Sequence, residues 1–215
     1  TAIKTQYKPW EHQREALAFS DITKGSALLL DTGTGKTKIV FDQAALIYER
    51  NGSCVVLVAG MISGIDVWRK QAPLHLAHSF EVIELHGQKV KGKRARGHAQ
   101  QDFAGIKIII TNVEAMRIHK DFFANLKKDM IVFDEPILLR NSKTKTYRAC
   151  LAVARTCVHR KILTATPVSN SLYDLFGLFK ICDEFWFGTR SRTFEDKYVC
   201  FGGFRGTQII GYKNQ

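Results

Sequence analysis

The sequence predicts an α/β domain with a mostly parallel β-sheet and helices on both of its faces. Six apolar runs of strand length alternate with segments of helical length, such as 36–50 and 143–157. Near-continuous apolar strands are typical of parallel sheets, in which right-handed crossovers connect neighbouring strands. The predicted strands are 26–31, 53–59, 80–85, 106–111, 130–135 and 160–165.

Polar or glycine-bearing segments follow five of these apolar runs. Their sequences are DTGTGKT, AGMISG, TNVEAM, DEP and TATP. In an open α/β sheet, ligands bind at the carboxyl ends of the strands. The agreement across five strands therefore predicts that the functional residues lie together at one edge of the sheet.

The size and charge of the chain restrict its class. The 215 residues suffice for one sizeable domain, with 45% apolar and 24% charged residues typical of a soluble globular protein. No apolar stretch approaches the roughly 20 residues of a membrane helix. The net charge of +12 predicts attraction to a polyanion, with nucleic acid as the first candidate. Five cysteines without a C-x-x-C pair indicate a reduced, intracellular protein without structural zinc.

The segment before the first strand, YKPWEHQREALAF, carries Gln13 on a predicted helix. A side-chain amide has both a donor and an acceptor, which suits an adenine edge. Without other evidence, Gln13 would be an ordinary exposed helix residue.

The first strand runs into the glycine-rich segment LLLDTGTGKT, residues 28–37. Gly33 and Gly35 lack Cβ atoms, so backbone N–H groups can surround phosphate oxygens at the start of the next helix. In this pattern Lys36 reaches the β- and γ-phosphates, and the Thr37 hydroxyl binds Mg²⁺. The first glycine of the full pattern is replaced by Leu30, and the alternative is a glycine turn without a ligand.

The strand MIVFDE ends in Asp134 and Glu135. Because parallel strands end at one edge, these carboxylates are expected near the metal that Thr37 holds. Asp134 would bind Mg²⁺, and Glu135 would orient or deprotonate the water that attacks the γ-phosphate. The alternative is a pair of acids that only face solvent.

The longest charged run is Lys89 to His98, with the sequence KVKGKRARGH. Most runs of this kind are solvated loops. The net positive charge of the chain favours contact with nucleic-acid phosphates instead.

Taken together, these segments resemble the first RecA-like lobe of superfamily-two helicases, and within it the Swi/Snf family of DNA translocases. LTATPVSNSLYDLF (163–176) is similar to motif III of that family, with Ala165 at a glycine position. The remaining motifs occur in order across residues 7–182: the Q motif KPWEHQREAL, motif I LLLDTGTGKT, motif Ia VVLVAGMISGIDVWRKQ, motif Ib IIITNVEAM and motif II VFDEPILLRNSKTKTY.

The resemblance implies a RecA-like P-loop NTPase lobe over residues 1–182, with 183–215 as an extension that leads to a second lobe. It implies ATP and Mg²⁺ as cofactors, double-stranded DNA as a partner without sequence preference, and a cytoplasmic location, or a nuclear one in a eukaryote. The implied contacts are, for nucleotide, Gln13, Thr32, Gly33, Thr34, Gly35, Lys36 and Thr37; for metal and catalysis, Thr37, Lys36, Asp134 and Glu135; for DNA, Ser63, Gly64, Thr111 and Asn112; and for coupling, Thr164, Thr166 and Asn170.

Two residues of motif II also depart from the pattern of the family. The usual sequence there is D-E-A-H or D-E-G-H, so Pro136 replaces a small residue and Ile137 replaces the histidine. In the family that histidine helps to link motif II to motif III, so Ile137 puts the coupling between ATP and DNA in doubt. Proline also keeps Glu135 out of the right-handed helical region. Asn170 has a second interpretation as the N-cap of the following helix. The alternatives for the whole chain are a strand-separating helicase, a degenerate ATP- or DNA-binding module and, less in keeping with the charge, a P-loop metabolic enzyme or kinase.

Overall fold

The computed structural model describes residues 7–168, 172–188, 190–203 and 208–214. All six predicted strands are present and form one parallel sheet in the order β1-β6-β5-β2-β4-β3. Their bounds are β1 Gly25–Leu29, β2 Cys54–Gly60, β3 Phe80–Glu84, β4 Ile106–Asn112, β5 Met130–Asp134 and β6 His159–Thr164. The strand that carries the glycine loop and the strand that carries the acidic pair are thus separated only by β6.

The described part of the chain also contains nine α-helices. They are α1 Glu11–Ile22, α2 Lys36–Asn51, α3 Ile65–His75, α4 Lys93–Gln100, α5 Val113–Ile118, α6 Lys120–Asn125, α7 Lys145–Ala154, α8 Tyr173–Cys182 and α9 Ser191–Tyr198. Short 3₁₀ turns lie at Ile62–Gly64, Lys89–Lys91 and Ile137–Leu139. No helix in the described ranges is both long enough and apolar enough to cross a membrane.

Two apolar cores lie on opposite faces of the sheet. Alternate side chains of the central strands point to opposite faces, so one strand serves both cores. Val58 and Ile110 pack with α1, α2 and α3 on one face. Leu57 and Ile109 pack with α5, α6, α7 and α8 on the other. The predicted architecture of a parallel sheet with helices on both faces is confirmed.

Burial of the strands follows their place in the sheet. Every residue of the inner strand β4 is buried. The edge strand β3 has one buried residue, Ile83, because a neighbour covers it on one side only. The edge strand β1 ends at Leu29, which is exposed. The apolar run LLL therefore continues one residue beyond the end of the strand, to Leu30.

The segment after α8 forms a small appended unit. Helix α9 leads into an antiparallel pair, β7 Val199–Gly202 and β8 Gln208–Tyr212. This unit packs on α8 through aromatic rings, with the Phe194 centroid 5.4 Å from that of Phe176 and 5.6 Å from that of Tyr173. The extension predicted after residue 182 therefore has its own strands but shares an aromatic core with the main domain.

A buried lysine fastens the end of α1 to the sheet. Lys161 of β6 is fully buried, and its ammonium group donates hydrogen bonds to the Ser20 carbonyl at 2.7 Å, the Ser26 hydroxyl at 3.0 Å and the Thr23 carbonyl at 3.3 Å. Ser20 lies in the last turn of α1 and Thr23 follows the helix directly, so the cation also complements the helix dipole. Burial lowers the pKa of Lys161 from 10.5 to about 8.

This shift predicts a pH-dependent stability. Between pH 8 and 10.5 the unfolded chain holds the Lys161 proton more tightly than the folded chain does, so the free energy of unfolding rises with pH across that window. The rise from this residue is up to about 3 kcal/mol, since one pKa unit corresponds to about 1.4 kcal/mol. Urea unfolding at several pH values checks it: Lys161→Met should flatten the slope, and equal slopes for the two proteins would contradict this origin.

Candidate nucleotide and DNA site

The glycine loop between β1 and α2 has the backbone of a phosphate-binding loop. Gly33 and Gly35 adopt φ values of +83° and +82°, which favour glycine. Helix α2 begins directly after Gly35, so its first N–H groups lack intrahelical partners and lie at the positive end of the helix. Thr32 is exposed, Thr34 donates its hydroxyl to the Asp31 carbonyl at 2.7 Å, and Thr37 lies in the first turn of α2.

Lys36 joins the glycine loop to the acidic pair. Its ammonium group donates to the Leu30 carbonyl at 2.7 Å and to the Asp31 carbonyl at 3.3 Å. The same nitrogen lies 3.6 Å from Oε1 of Glu135. Leu30, which replaces the first glycine of the pattern, thus contributes its carbonyl group, for which any residue is suitable. The structure places Lys36 and the end of β5 at one edge, as the sequence predicts.

Asp134 lies in a largely buried position at the end of β5. Its Oδ2 atom accepts a hydrogen bond of 2.8 Å from the indole N–H of Trp68. Burial raises the pKa of the carboxyl group, and the charge of Glu135 adds to that effect, while the Trp68 hydrogen bond and Lys36 oppose it. A hard cation beside this carboxylate would favour its charged form. The donor set of carboxylate and hydroxyl oxygens therefore fits Mg²⁺.

Glu135 has an unusual backbone for a residue other than glycine. Its φ is +44°, so the residue before Pro136 does lie outside the right-handed helical region. A left-handed conformation costs an L-residue about 1–2 kcal/mol. Strained backbones of this kind concentrate at functional sites, where the surrounding contacts hold them.

The Glu135 carboxylate bridges motif II to motif III. Oε2 accepts from the Thr164 hydroxyl at 2.8 Å, and Oε1 accepts from the Ala165 backbone N–H at 3.0 Å. Thr164 is 1% exposed and its hydroxyl in turn accepts from the Thr166 backbone N–H at 3.1 Å. The Glu135 carboxylate, a candidate catalytic group, is thus hydrogen-bonded to the end of β6, the strand that lies between β5 and the glycine-loop strand β1.

A second link between the two motifs comes from Arg140. Its guanidinium donates to the Thr166 carbonyl oxygen and, at 3.1 Å, to the Thr166 hydroxyl. Ile137, which replaces the histidine of the family pattern, is 53% exposed and faces a cleft instead. Glu135 and Arg140 therefore connect motifs II and III in the structure without a histidine, and coupling between ATP and DNA through them stays a prediction. Asn170, the third predicted coupling residue, lies outside the described residues.

Gln13 is buried against the glycine loop. It is 5% exposed, and its amide nitrogen donates to the Thr34 carbonyl at 2.9 Å, while its amide oxygen accepts from the Trp10 backbone N–H at 3.0 Å. A ring nitrogen of His12 donates to the same Thr34 carbonyl at 2.9 Å. Gln13 is therefore not the ordinary exposed residue of the alternative interpretation. One amide proton and one lone pair of Gln13 are left for a ligand.

The four residues predicted to contact DNA differ in exposure. Ser63 is exposed on the 3₁₀ turn that ends at Gly64. Asn112 is 8% exposed and its side-chain oxygen caps α5 by accepting from the Ala115 backbone N–H at 3.1 Å. Thr111 is fully buried and donates its hydroxyl to the Leu85 carbonyl at 2.7 Å. The Thr111 side chain is therefore not exposed to a phosphate, and contact with DNA from the backbone of this turn stays a prediction.

An apolar cleft of about 520 Å³ opens beside the acidic pair. It lies between the segments that follow β2, β4 and β5, which are neighbouring strands. Its apolar lining residues are Met61 and Ile62, which follow β2, and Pro136, Ile137 and Leu138, which follow β5. Ser63 and Asn112 also line the cleft, so the polar side chains expected to contact phosphates lie next to its apolar lining residues.

Three residues of the site were not assigned a site role from the sequence. Trp68 packs in the core, as an aromatic residue on a helix commonly does, but its N–H also reaches Asp134 across 66 positions. Arg140 belongs to the R-N-S-K run, whose composition does not reveal its partner. His12 is adjacent to Gln13 and shares its acceptor. Each depends on a long-range contact, for which a single sequence contains no signal.

Together, the parallel sheet and the order of its strands define a lobe of the RecA-like fold. The chain belongs to the SNF2-related domain family, whose match covers residues 12–200.

Known proteins support this placement. Switch 2 of Arabidopsis thaliana is 29% identical over 207 residues, covering 87% of this chain and 23% of its own length. DNA excision repair protein ERCC-6-like of Danio rerio is 28% identical over 208 residues, covering 89% and 14%. The Sulfolobus solfataricus SWI2/SNF2 ATPase core in complex with dsDNA matches with a TM-score of 0.73 and 20% identity, covering 92% of this chain and 40% of that one. The chain thus spans less than a quarter of these two curated relatives.

A pair of glycine substitutions tests the packing of Gln13 on the glycine loop. Both Gly33→Ala and Gly35→Ala place alanine at a positive φ, at about 1–2 kcal/mol each. A Cβ on Gly33 meets nothing within 4 Å, whereas one on Gly35 would lie 2.3 Å from the Gln13 amide nitrogen. Thermal unfolding should therefore show a clearly larger loss for Gly35→Ala, with faster hydrogen exchange in α1. Equal losses would show that Gln13 moves aside freely.

Proposed function

We propose that this chain is the ATP-binding lobe of a DNA-dependent ATPase that couples hydrolysis to movement along double-stranded DNA. The observation that carries the proposal is the convergence of Lys36, Glu135 and Thr164 at the carboxyl ends of three neighbouring strands. Membership of the SNF2-related domain family supports the same conclusion.

In this proposal the glycine loop and α2 bind the triphosphate. The N–H groups at the start of α2 surround phosphate oxygens, and Lys36 exchanges its present carbonyl partners for the β- and γ-phosphates. Thr37 and Asp134 hold the metal, directly or through water. Bound Mg²⁺ would neutralise charge on the phosphates. Gln13, held at the Thr34 carbonyl, would present its remaining amide groups to adenine.

Glu135 is the proposed base and also the coupling residue. Its carboxylate orients or deprotonates the attacking water, for which it must lie within hydrogen-bond reach of that water. Because both of its oxygens now accept from Thr164 and Ala165, a change of its hydrogen bonds is felt directly in motif III. Thr166 and Arg140 extend that path to the later part of motif II.

The proposed DNA surface runs across the ends of β2, β4 and β3. It begins at Ser63, Gly64 and Asn112 and continues to the basic segment after β3, which is a 3₁₀ turn and helix α4 rather than a loop. Lys93 and Arg94 are exposed in the first turn of α4, a helix without an acidic residue in that turn. Because helix dipole and side chains are both positive there, backbone phosphates are the complementary ligand.

A second RecA-like lobe is part of the proposal. The chain covers 40% of the matched SWI2/SNF2 ATPase core, which leaves room for a further lobe. An arginine supplied from outside the lobe can contribute about 10³–10⁵ in rate. The 215-residue chain by itself is therefore expected to bind ATP weakly and to hydrolyse it poorly, with or without DNA.

Nucleotide binding gives the first test. With a fluorescent ATP analogue and Mg²⁺, the 215-residue chain should bind weakly, Lys36→Ala should reduce the affinity at least tenfold, and Glu135→Gln should still bind. In the full-length protein, both variants should lose DNA-stimulated turnover. Turnover that survives Glu135→Gln would remove Glu135 from its proposed role, and vigorous turnover by the chain alone would contradict the need for a second lobe.

The alternatives have distinct outcomes in the same full-length protein. Displacement of a triplex-forming strand without separation of the duplex indicates translocation, whereas release of a labelled duplex strand indicates a helicase. Tight ATP binding without turnover by a well-folded protein would indicate a degenerate module.

DNA binding gives the second test. Replacement of Lys93 and Arg94 by alanine should weaken duplex binding for all sequences alike and reduce the slope of log affinity against log salt by about 1–2, since each phosphate contact contributes about 0.9. The matched control removes Lys24 and Lys127, two charges outside the proposed surface, and should leave the slope unchanged. Equal slopes for both double variants would exclude α4 from the DNA surface.

A further inference from the structure

The indole of Trp68 connects two segments that the proposed function keeps separate. Trp68 lies on α3, which follows the Ser63–Gly64 turn, and its N–H donates to Oδ2 of Asp134 at 2.8 Å. Trp68 is 1% exposed, so the hydrogen bond forms away from solvent. Among the described residues, Trp68 is the side chain that donates a hydrogen bond to the Asp134 carboxylate. Because this bond occupies Oδ2, the Oδ1 atom is left for a metal or its water.

Packing holds the indole in place from the other side. The Phe41 ring meets Trp68 edge-on with centroids 5.4 Å apart, and Phe41 is fully buried on α2. Helix α2 is the helix that begins at the glycine loop. Trp68 therefore lies between the phosphate-binding helix and Asp134, and a rotation of the indole would leave a cavity in the core.

The backbone of the motif Ia segment also lies close to Asp134. A Cβ on Gly60 would come within 3.4 Å of the Asp134 Cβ, and one on Gly64 would come within 4.0 Å of Oδ2. A displacement of this segment would therefore change the position of the indole and the space around the carboxylate together.

We propose that Trp68 is a positioning residue: its N–H fixes the orientation of the Asp134 carboxylate and relays phosphate binding at the Ser63–Gly64 turn to the metal-binding oxygen. This inference rests on the proposed function, and it adds a path from DNA to the nucleotide that does not pass through motif III. Partners of a metal ligand commonly change metal affinity by 10- to 100-fold when they are removed.

The first test needs no turnover. The chain has three tryptophans, so its ¹⁵N-labelled form gives three indole N–H resonances. The Trp68 resonance, assigned from Trp68→Phe, should exchange slowly with solvent and move upfield in Asp134→Ala. It should also shift when Mg²⁺ and ADP are added. The resonance of Trp186, which is 55% exposed and lines a pocket with the start of β1, should not move. A Trp68 resonance unaffected by Asp134→Ala would overturn the hydrogen bond and the proposal.

The second test separates positioning from packing. Trp68→Phe keeps an aromatic ring but removes the donor, whereas Trp186→Phe makes the same chemical change at an exposed site. In the full-length protein, Trp68→Phe should raise the Mg²⁺ concentration for half-maximal turnover about tenfold and reduce stimulation by duplex DNA. Its affinity for ATP in EDTA should be unchanged, and Trp186→Phe should match the wild type.

The outcomes separate the positioning role of Trp68 from the proposed function of the chain. If the wild type binds Mg²⁺ and nucleotide but Trp68→Phe has the same Mg²⁺ requirement, the positioning role is wrong and the proposed function stands. If the wild type fails to bind nucleotide, both fall. If Trp68→Phe or Asp134→Ala loses its folded spectrum, Asp134→Asn takes its place, because the asparagine side chain keeps an acceptor oxygen. In Asp134→Asn the indole hydrogen bond should persist while the affinity for Mg²⁺ falls. Loss of that hydrogen bond would overturn the proposal.

Discussion

Parallel pairing is the constraint on which the rest of the structure depends, because it makes every strand deliver its following segment to the same edge. Strand β6 lies between β1 and β5, so Thr164 is held between the glycine loop and the acidic pair. The contacts of Lys36 and Thr164 with Glu135 are the local result. If β6 paired elsewhere, these side chains would keep their identities and lose their common geometry.

The sequence was sufficient for the fold because the strands are signalled locally. Each apolar run bounded by turn residues became a strand, and the glycine loop became a left-handed turn into a helix. The edge position of β3 was not visible in its composition, since an apolar run cannot show how many neighbours a strand has. Register and strand order follow from the whole sheet.

The site was less predictable than the fold, and Thr111 and Trp68 show why. Thr111 follows an apolar run in a polar segment, as a surface residue would, yet its hydroxyl donates to the buried Leu85 carbonyl, one residue beyond the neighbouring strand β3. Trp68 has the spacing of a core residue and is one, but its single polar atom meets a carboxylate. Residue type and spacing predict which face a side chain takes. The partner of a polar atom depends on contacts between distant segments.

Helix α1 is anchored at both of its ends, to the glycine loop at one end and to the sheet at the other. Its amino end holds the Thr34 carbonyl through His12 and Gln13, and its carboxyl end accepts hydrogen bonds from Lys161 on β6. If Gln13 contacts the nucleobase as proposed, an outward movement of α1 would break hydrogen bonds at both ends of the helix. A change of base preference at the proposed site would then come from substitution of side chains such as Gln13 rather than from a new position of the helix.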